Sequence, residues 1–528
     1  MAHAIGSLLR LARAGWVMAR EGLVTAMAPP DPPPIGRLAL VLAGLVERKE
    51  VEGASRGQRA SRALNRLGPS YVKLGQFLAT RPDIVGRAMA DDLEALQDRV
   101  APFDHDTAVA IVARSFGKPV AELFVEFGQP VAAASIAQVH KARVKADDGT
   151  IRDVAVKVLR PDVEARFKRD LDAFYLAARL IEALVPPTRR LRLVAVVDTL
   201  ARSVRLEMDL RLEAAAIAEL AENTANDPEF RLPAVDWPRT QRGVLTLEWI
   251  DGVKLSDRAG MIAAGHDLKR LGRIVMQTFL RHAMRDGFFH ADMHQGNLFV
   301  VPSGDLAAVD LGITGRLDTD ERRFLAEILY GFIIRDYRRV AQVHFDAGYV
   351  PPHQEVEVFA QALRAVGQAL RDRPPAEVSI AGLLGQLFEY TDVFEMKTQP
   401  RLILLQKTMV VVEGVARSLD PDLDIWTVSE PVVREWVESN LGPGARLADA
   451  ATSAGALGRL ALAVPRLVER LDLASAGLAK WAEAGVRLDA ETVEALAEAQ
   501  ARRDRPRRAA MWLAAASLAA VAYVMMIS

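Results

Sequence analysis

Cysteine is absent from the 528 residues. That removes disulfides, thiolate nucleophiles, iron–sulfur clusters and Cys-ligated zinc in one step. An excess of either charge is also missing: 67 basic residues against 68 acidic leave a net charge of −1, without the basic surplus that marks a nucleic-acid binder. Lysine is scarce, 12 residues against 55 arginines. A lysine in an apolar setting therefore reads as a place where a compact point charge is needed. No repeat with a 20–50-residue period is present, which excludes solenoids and propellers. What the chain does have is apolar mass. Half of it is hydrophobic and 26% is charged, enough for packed cores and too much for global disorder. At roughly 150 residues per domain, the length predicts about three or four units.

Long uncharged runs are missing too, with one exception at the end. The last 20 residues, 509–528, carry no charge, and at about 1.5 Å per residue a helix there spans about 30 Å, the depth of a hydrocarbon core. Arg502, Arg503, Arg505, Arg507 and Arg508 come just before it, which puts that flank on the cytoplasmic side. A transmembrane anchor is expected over 507–528, with the body in the cytoplasm. Residues 441–506 read as a helical stalk, whose length permits dimerisation. Residues 5–27 have apolar positions at helical spacing, but Arg10 and Arg13 interrupt the run that a signal peptide needs. An amphipathic helix lying on the membrane or folding onto the body is expected before the APPDPPP stretch at 28–34 breaks the chain.

The strongest constellation is FFHADMHQGNLFVVPSGDLAAVDLG, residues 288–312. A helical stretch at 266–287 leads into it with Leu268, Leu271, Ile274, Val275, Thr278 and Phe279 on one stripe. His290 and Asp292 follow in a loop, and Asn297 comes five residues later. Leu298–Val301 and Leu306–Val309 flank a Pro-Ser-Gly-Asp turn as a hairpin, and Asp310-Leu311-Gly312 closes the run. This is the order of kinase catalytic machinery. Phosphoryl transfer needs one carboxylate to orient or deprotonate the acceptor, the role open to Asp292. It also needs an amide oxygen and a second carboxylate to hold magnesium, the roles open to Asn297 and Asp310. A rival reading takes His290, Asp292 and His294 as metal ligands of a hydroxylase or hydrolase. It lacks the Glu-x-x-His spacings that usually complete such a site.

The upstream sequence has the features this machinery requires. DVAVKVLRP (153–161) alternates as a strand, with Lys157 on the face of Ala155 and Leu159 and with Val154, Val156 and Val158 on the other. A charge there is costly unless paired, and holding nucleotide phosphates would use it. PVAAASIAQVHKARV (130–144) reads as strand, tight loop, strand. Its loop, Ala132 to Ser135, stands where protein kinases carry glycines, and alanine disfavours positive φ and stiffens it. A helix is expected from about 194 to 223, carrying Glu207, Asp209 and Glu213 as candidate partners for Lys157. Glu207 and Glu213 would point about 120° apart on that helix, so one of them is expected to reach the lysine. VLTLEWIDGVKL (244–255) reads as a strand entering the hinge between lobes, with backbone near Glu248 to Ile250 facing adenine.

With SYVKLGQFLATRPDIV (70–85) added, whose Lys73-Leu74-Gly75-Gln76 matches a KxGQ motif, the sequence resembles the UbiB family of atypical kinases over roughly residues 35–420. Lys73 and Gln76, at i and i+3, share a helix face. The resemblance implies an α+β, bilobal protein-kinase-like fold with an N-terminal helical KxGQ extension, a helical C-terminal region and a C-terminal transmembrane helix. The corresponding divisions are 1–34, 35–115 for the extension, 116–260 for the N-lobe, 261–440 for the C-lobe, 441–506 and 507–528. It implies ATP and Mg2+ as cofactors, with nucleotide against Val131, Ala132, Ala133, Ala134, Ser135, Ile136, Ala137, Gln138, Val139, Lys157, Glu248 and Ile250. Lys73 and Gln76 would approach the ExD acids Glu207 and Asp209, which leaves the lysine pair to Glu213. Asp292, Lys157 and Glu213 would be catalytic, and Asn297 and Asp310 would hold metal. The implied setting is the bacterial inner membrane, with lipid, isoprenoid quinone precursors and other ubiquinone-biosynthesis proteins as partners and no nucleic acid.

One departure from protein kinases needs no family. After Gly312 there is no A-P-E sequence and no long activation segment, and 321–337 already looks helical. The platform that docks a peptide is missing. ATP hydrolysis or phosphorylation of a small molecule or lipid fits better than protein phosphorylation. The contrasting class is a non-catalytic, nucleotide-gated scaffold for lipid intermediates or their enzymes.

Overall fold

The computed structural model describes residues 2–26, 40–48, 54–94, 101–369, 390–396 and 400–442, a few positions inside these ranges excepted. Residues Met1–Glu438 form one compact unit and Ser439–Ser528 a second. The stalk beyond 442 and the anchor expected over 507–528 lie outside the described residues, as does the break at 28–34. Among the described residues no helix is long and apolar enough to cross a membrane.

Local chemistry sets the first helices. Ser55 and Gln58 form a reciprocal capping box that opens the helix Arg56–Leu67. Gly68 ends it at φ 106°, and Pro69, with no N–H to lose, starts the helix Pro69–Ala79 that carries Lys73 and Gln76. These helices bury Leu64, Tyr71 and Ala79 in one cluster with Phe167 and Phe174 of the helix Val163–Leu184 and Leu200 and Val204 of the helix Leu193–Glu207. The N-terminal helix Ala2–Arg20 adds Ala14 to the same cluster, so one of its faces folds onto the body while Ile5, Leu8, Leu9 and Trp16 stay exposed.

The N-lobe sheet is antiparallel, in the order β1 (Glu126–Ala133), β2 (Ala137–Lys145), β3 (Ile151–Leu159), β5 (Val244–Glu248). Its alternation is as the sequence implies. Val154, Val156 and Val158 are buried against Val112 of the helix His105–Phe116, each contributing roughly 1.5–3 kcal/mol, while Lys157 faces the other way, paired across the ladder with Val139 and Leu245.

The helix Leu268–Arg281 buries Leu271, Ile274, Val275, Thr278 and Phe279, the expected stripe, and runs into a single π turn, His282–Asp286. Gly287 reverses the chain at φ 65°, where a Cβ would meet the Leu317 carbonyl. Three short strands follow: β7 (Phe288–His290), β8 (Leu298–Val300) and β9 (Leu306–Ala308), the last two forming the expected hairpin. β7 pairs with β10 (Thr314–Arg316), His290 opposite Thr314. The C-lobe sheet is completed by β4 (Phe230–Arg231), parallel to β9, and β6 (Val253–Lys254), antiparallel to β8. Helices Thr319–Ile334, Tyr337–Asp346, Val356–Ala369, Pro400–Leu419 and Ile425–Leu441 complete the described chain.

One expected element is corrected. The single helix from about 194 to 223 is two, Leu193–Glu207 and Leu210–Asn223, separated at Met208 and Asp209. Asp209 leaves helical geometry at φ −111°, ψ 91° and its carboxylate accepts the Arg211 N–H as the N-cap of the second helix. A short acidic side chain competes for backbone donors and favours a cap over a helix interior. Glu207 and Glu213 thus lie on different helices, and their 120° separation on one helix does not apply.

Candidate nucleotide and phosphoryl-transfer site

Lys157 meets its partner from the second of those helices. Lys157 Nζ donates to Glu213 Oε1 and Oε2 at 2.8 and 2.9 Å and to Asp310 Oδ2 at 3.0 Å. One ammonium faces two carboxylates, and the site settles by charge. Burial works against the lysine cation, but Asp310 and Glu213 outweigh it and raise its pKa. Burial would also raise Asp310, yet Lys157 and the Gly312 N–H, 2.9 Å from Oδ1, hold its carboxyl well below the usual range. Glu213, the more deeply enclosed acid, is pushed up to about 7 by burial, with Lys157 opposing and Asp310 adding to the shift. The ammonium therefore balances Asp310 fully, and Glu213 resists ionisation beside them.

The pairing of β7 with β10 brings the loop of Asp292 to the segment of Asp310. Ala291 N–H donates to the Ile313 carbonyl, and Asp292 N–H to His290 Nδ1 at 3.2 Å. Burial lowers the pKa of His290 against the attraction of Asp292 and Asp310, so the ring is a neutral strut. Asn297 Nδ2 donates to the Asp292 carbonyl at 3.2 Å, and the Asn297 carbonyl accepts from Val309 N–H. Asp292, Asn297 and Asp310 are thus stitched into one backbone network. Of the residues in the rival reading, His294 Nδ1 accepts from Gly296 N–H at 3.0 Å. Among the described residues no three His, Cys, Asp or Glu side chains gather as a metal site.

Asp310 keeps 41% of its side chain exposed although Lys157 occupies one oxygen, and using Asn297 Nδ2 as donor leaves its amide oxygen as acceptor. A hard carboxylate and a hard amide oxygen suit magnesium, and the residues fit it.

At the hinge, Glu248 N–H donates to the Ala234 carbonyl and Trp249 N–H to that of Asp153. The Ile250 N–H has no partner among the described residues, which leaves it available to a ligand edge. The Glu248 side chain is occupied elsewhere, by Arg231 at 2.5 Å and the Ala234 N–H at 3.2 Å. In the alanine loop, 134–136 connect β1 to β2, with Ala134 N–H bonded to the Ala137 carbonyl. Gln138, expected at the nucleotide, turns its buried side chain away, accepting from Phe103 N–H at 2.8 Å and donating to the Phe103 carbonyl at 3.2 Å.

Lys73 Nζ lies 2.6 Å from Glu207 Oε2. The Asp209 carboxylate is held by Arg211 Nε and Nη2 at 2.8 and 2.6 Å, and Gln76 is half-buried on the Lys73 helix. Several supporting residues escaped sequence reasoning. Thr408 Oγ1 is shared between the Leu404 and Ala291 carbonyls at 2.8 and 3.2 Å. Gln295 donates to Ser418 Oγ at 2.5 Å. Arg316, just after the Asp310 segment, grips Glu219 through Nη1 and Nη2 at 2.6 and 2.5 Å. No local signal marks any of them.

Comparison with known proteins places the chain in a family. Residues 95–344 match the ABC1 atypical kinase-like domain and 363–424 the UbiB helical domain. A protein of Marinobacter nauticus described as "Probable protein kinase UbiB" is 40% identical over 443 residues, 83% of this chain and 80% of that one. Proteins of the same description from Azotobacter vinelandii and Vibrio cholerae are 40% identical over 397 and 396 residues, 74% of this chain and 73% and 72% of theirs. A solved Mycobacterium tuberculosis structure, of Rv3197 with erythromycin, aligns at a TM-score of 0.43 and 22% identity over 67% of this chain and 91% of that one. By its match to both family models and its 40% identity to these proteins over most of its length, the chain belongs to the UbiB family of ABC1 atypical kinase-like proteins.

Proposed function

We propose that this protein is a membrane-anchored atypical kinase or ATPase that binds Mg-ATP and couples its hydrolysis, or transfer of its terminal phosphoryl group, to the handling of polyprenyl-phenol intermediates in ubiquinone biosynthesis. The observation that carries the reading is the triad of Lys157, Glu213 and Asp310, drawn from three parts of the chain and standing beside the Asp292–Asn297 network.

Lys157 holds the phosphates, and Glu213 fixes the direction of its side chain. The turn 134–136 that joins β1 to β2 lies over the phosphates, and the Ile250 N–H meets adenine. Asp292 orients the acceptor hydroxyl or water and takes its proton as the oxygen bonds to phosphorus and the bond to ADP breaks. Asn297 and Asp310 would hold magnesium, which supplies positive charge against the phosphate oxygens.

Two features favour a small or lipid acceptor. Helix Thr319–Ile334 begins directly after β10, so no extended platform for a peptide intervenes, and the uncharged run 509–528 with its arginine flank suits a protein working at a membrane.

The test is ATP turnover by the full chain in liposomes, with and without a phenolic quinone precursor, against Asp292→Asn. Loss of a positioned general base lowers the rate by about 10²–10⁴-fold. Equal rates for parent and variant under every condition would sink the catalytic reading, and retained nucleotide binding would then identify a nucleotide-gated scaffold.

A further inference from the structure

We propose that Arg160 is a positioning residue for the phosphate-facing alanine loop, and that it ties that loop to the strap 101–103 preceding the helix His105–Phe116. The inference rests on the reading of residues 132–136 as a nucleotide cradle.

Between Pro130 and His140 there is no glycine, and no residue of that stretch takes a positive φ. The loop therefore lacks the left-handed residues that usually shape a phosphate cradle, and its form needs another source. Arg160, the residue after β3 and three beyond Lys157, supplies it. Its N–H donates to the Ile136 carbonyl at 2.8 Å and its Nε to the Ala134 carbonyl at 3.0 Å. Both bonds fall on the turn itself, so one residue grips it through main chain and side chain.

The other arm of the same guanidinium points outward. Nη2 donates to the Ala101 carbonyl at 2.8 Å, and the guanidinium carbon lies 5.7 Å from the centre of the Phe103 ring. Gln138, 1% exposed, fastens the same strap by bonding both the N–H and the carbonyl of Phe103. Strap and loop are thus joined through Arg160, and strap and β2 through Gln138. Only a planar fork of donors can serve two divergent carbonyls and lie against a ring; a lysine would satisfy one of the three contacts.

The experiment compares the full-length parent with Arg160→Gln, Arg160→Lys and Gln138→Leu, reading amide hydrogen exchange without nucleotide, Mg-ATP affinity, and kcat against KM. In Arg160→Gln, exchange should quicken in both 101–104 and 132–138 and stay unchanged in 288–300. The Kd for Mg-ATP should rise about tenfold, the scale of one lost hydrogen bond to a charged group, with kcat within about twofold of the parent. Arg160→Lys should restore the affinity only in part. Gln138→Leu, which releases the strap from β2 and also removes the contact of Gln138 Nε2 with His140 Nε2, should quicken exchange in 101–104 and in 132–136. Exchange that quickens everywhere, or in 101–104 alone, overturns the proposal, as does an unchanged affinity beside a loosened loop. If the parent itself fails to bind Mg-ATP, the nucleotide reading falls, while the coupling of strap to loop still stands or falls on the exchange data.

Discussion

Lys73 Nζ and Glu207 Oε2 are 2.6 Å apart, each side chain about one-sixth exposed, at the edge of the apolar cluster that joins the cover helices to the helices Val163–Leu184 and Leu193–Glu207. The pair clasps two elements that already share a core, so it adds direction more than adhesion. A double-mutant cycle of Lys73→Met and Glu207→Gln, read by denaturant unfolding, should give a coupling of about 1 kcal/mol. A coupling indistinguishable from zero would make the contact incidental.

Glu213 gives a pH signature. Its folded pKa, about 7, stands above the ordinary carboxyl value of about 4.3. Its contribution to stability is therefore complete below that ordinary value and is lost as the pH rises through about 7. A glutamine does not titrate. The melting temperature of the nucleotide-free parent, taken relative to Glu213→Gln, should fall steadily between pH 4.5 and 7.5 and level off above. A difference that stays flat over that range would show that Glu213 is an ordinary exposed acid in solution.

Removing Lys157 leaves Glu213 and Asp310 facing one another without the cation that both contact. Lys157→Ala should abolish measurable turnover and destabilise the fold by roughly 3–5 kcal/mol. The loss should be smaller at pH 5 than at pH 8, because a proton on one acid relieves the repulsion. Equal destabilisation at the two pH values would contradict the triad.

Gly315 lies in β10 directly against the ring of Phe289, its ladder partner, and a methyl there would overlap that ring. Phe289 is buried with nowhere to retreat. Gly315→Ala should cost about 1–3 kcal/mol by overpacking and should reduce turnover, since the same strand pair sets Asp292 beside Asp310. A variant with unchanged melting temperature would mean that β7 and β10 separate freely.

Much of the site was legible because it is local. The spacing of Asp292, Asn297 and Asp310 around the hairpin, the alternation that isolates Lys157, and the i, i+3 relation of Lys73 and Gln76 are short-range patterns that strand and helix periodicity reproduce. What failed was also specific. Helical periodicity ran through Met208 and Asp209 because the apolar pattern continues across them, while the chain ends one helix and caps another there. The Gln138 side chain binds the main chain of Phe103, 35 residues away, a partner that alternation along β2 cannot show.

The sequence by itself determined the family, the two-lobed α+β fold, the apolar faces of the strands and helices, and the identity of the polar residues that gather at the cleft. Tertiary structure alone decided how the charge divides among Lys157, Glu213 and Asp310, and that Arg160, Thr408 and Arg316 support the site. The reason is distance along the chain. Glu213 and Asp310 lie 56 and 153 residues from Lys157, and Thr408 lies 117 from the carbonyl it reaches. Local periodicity sets which face a side chain occupies, but only the packing of the lobes sets which faces meet. In a chain with 55 arginines, nothing in the sequence distinguishes Arg160 until the fold brings two carbonyls within its reach.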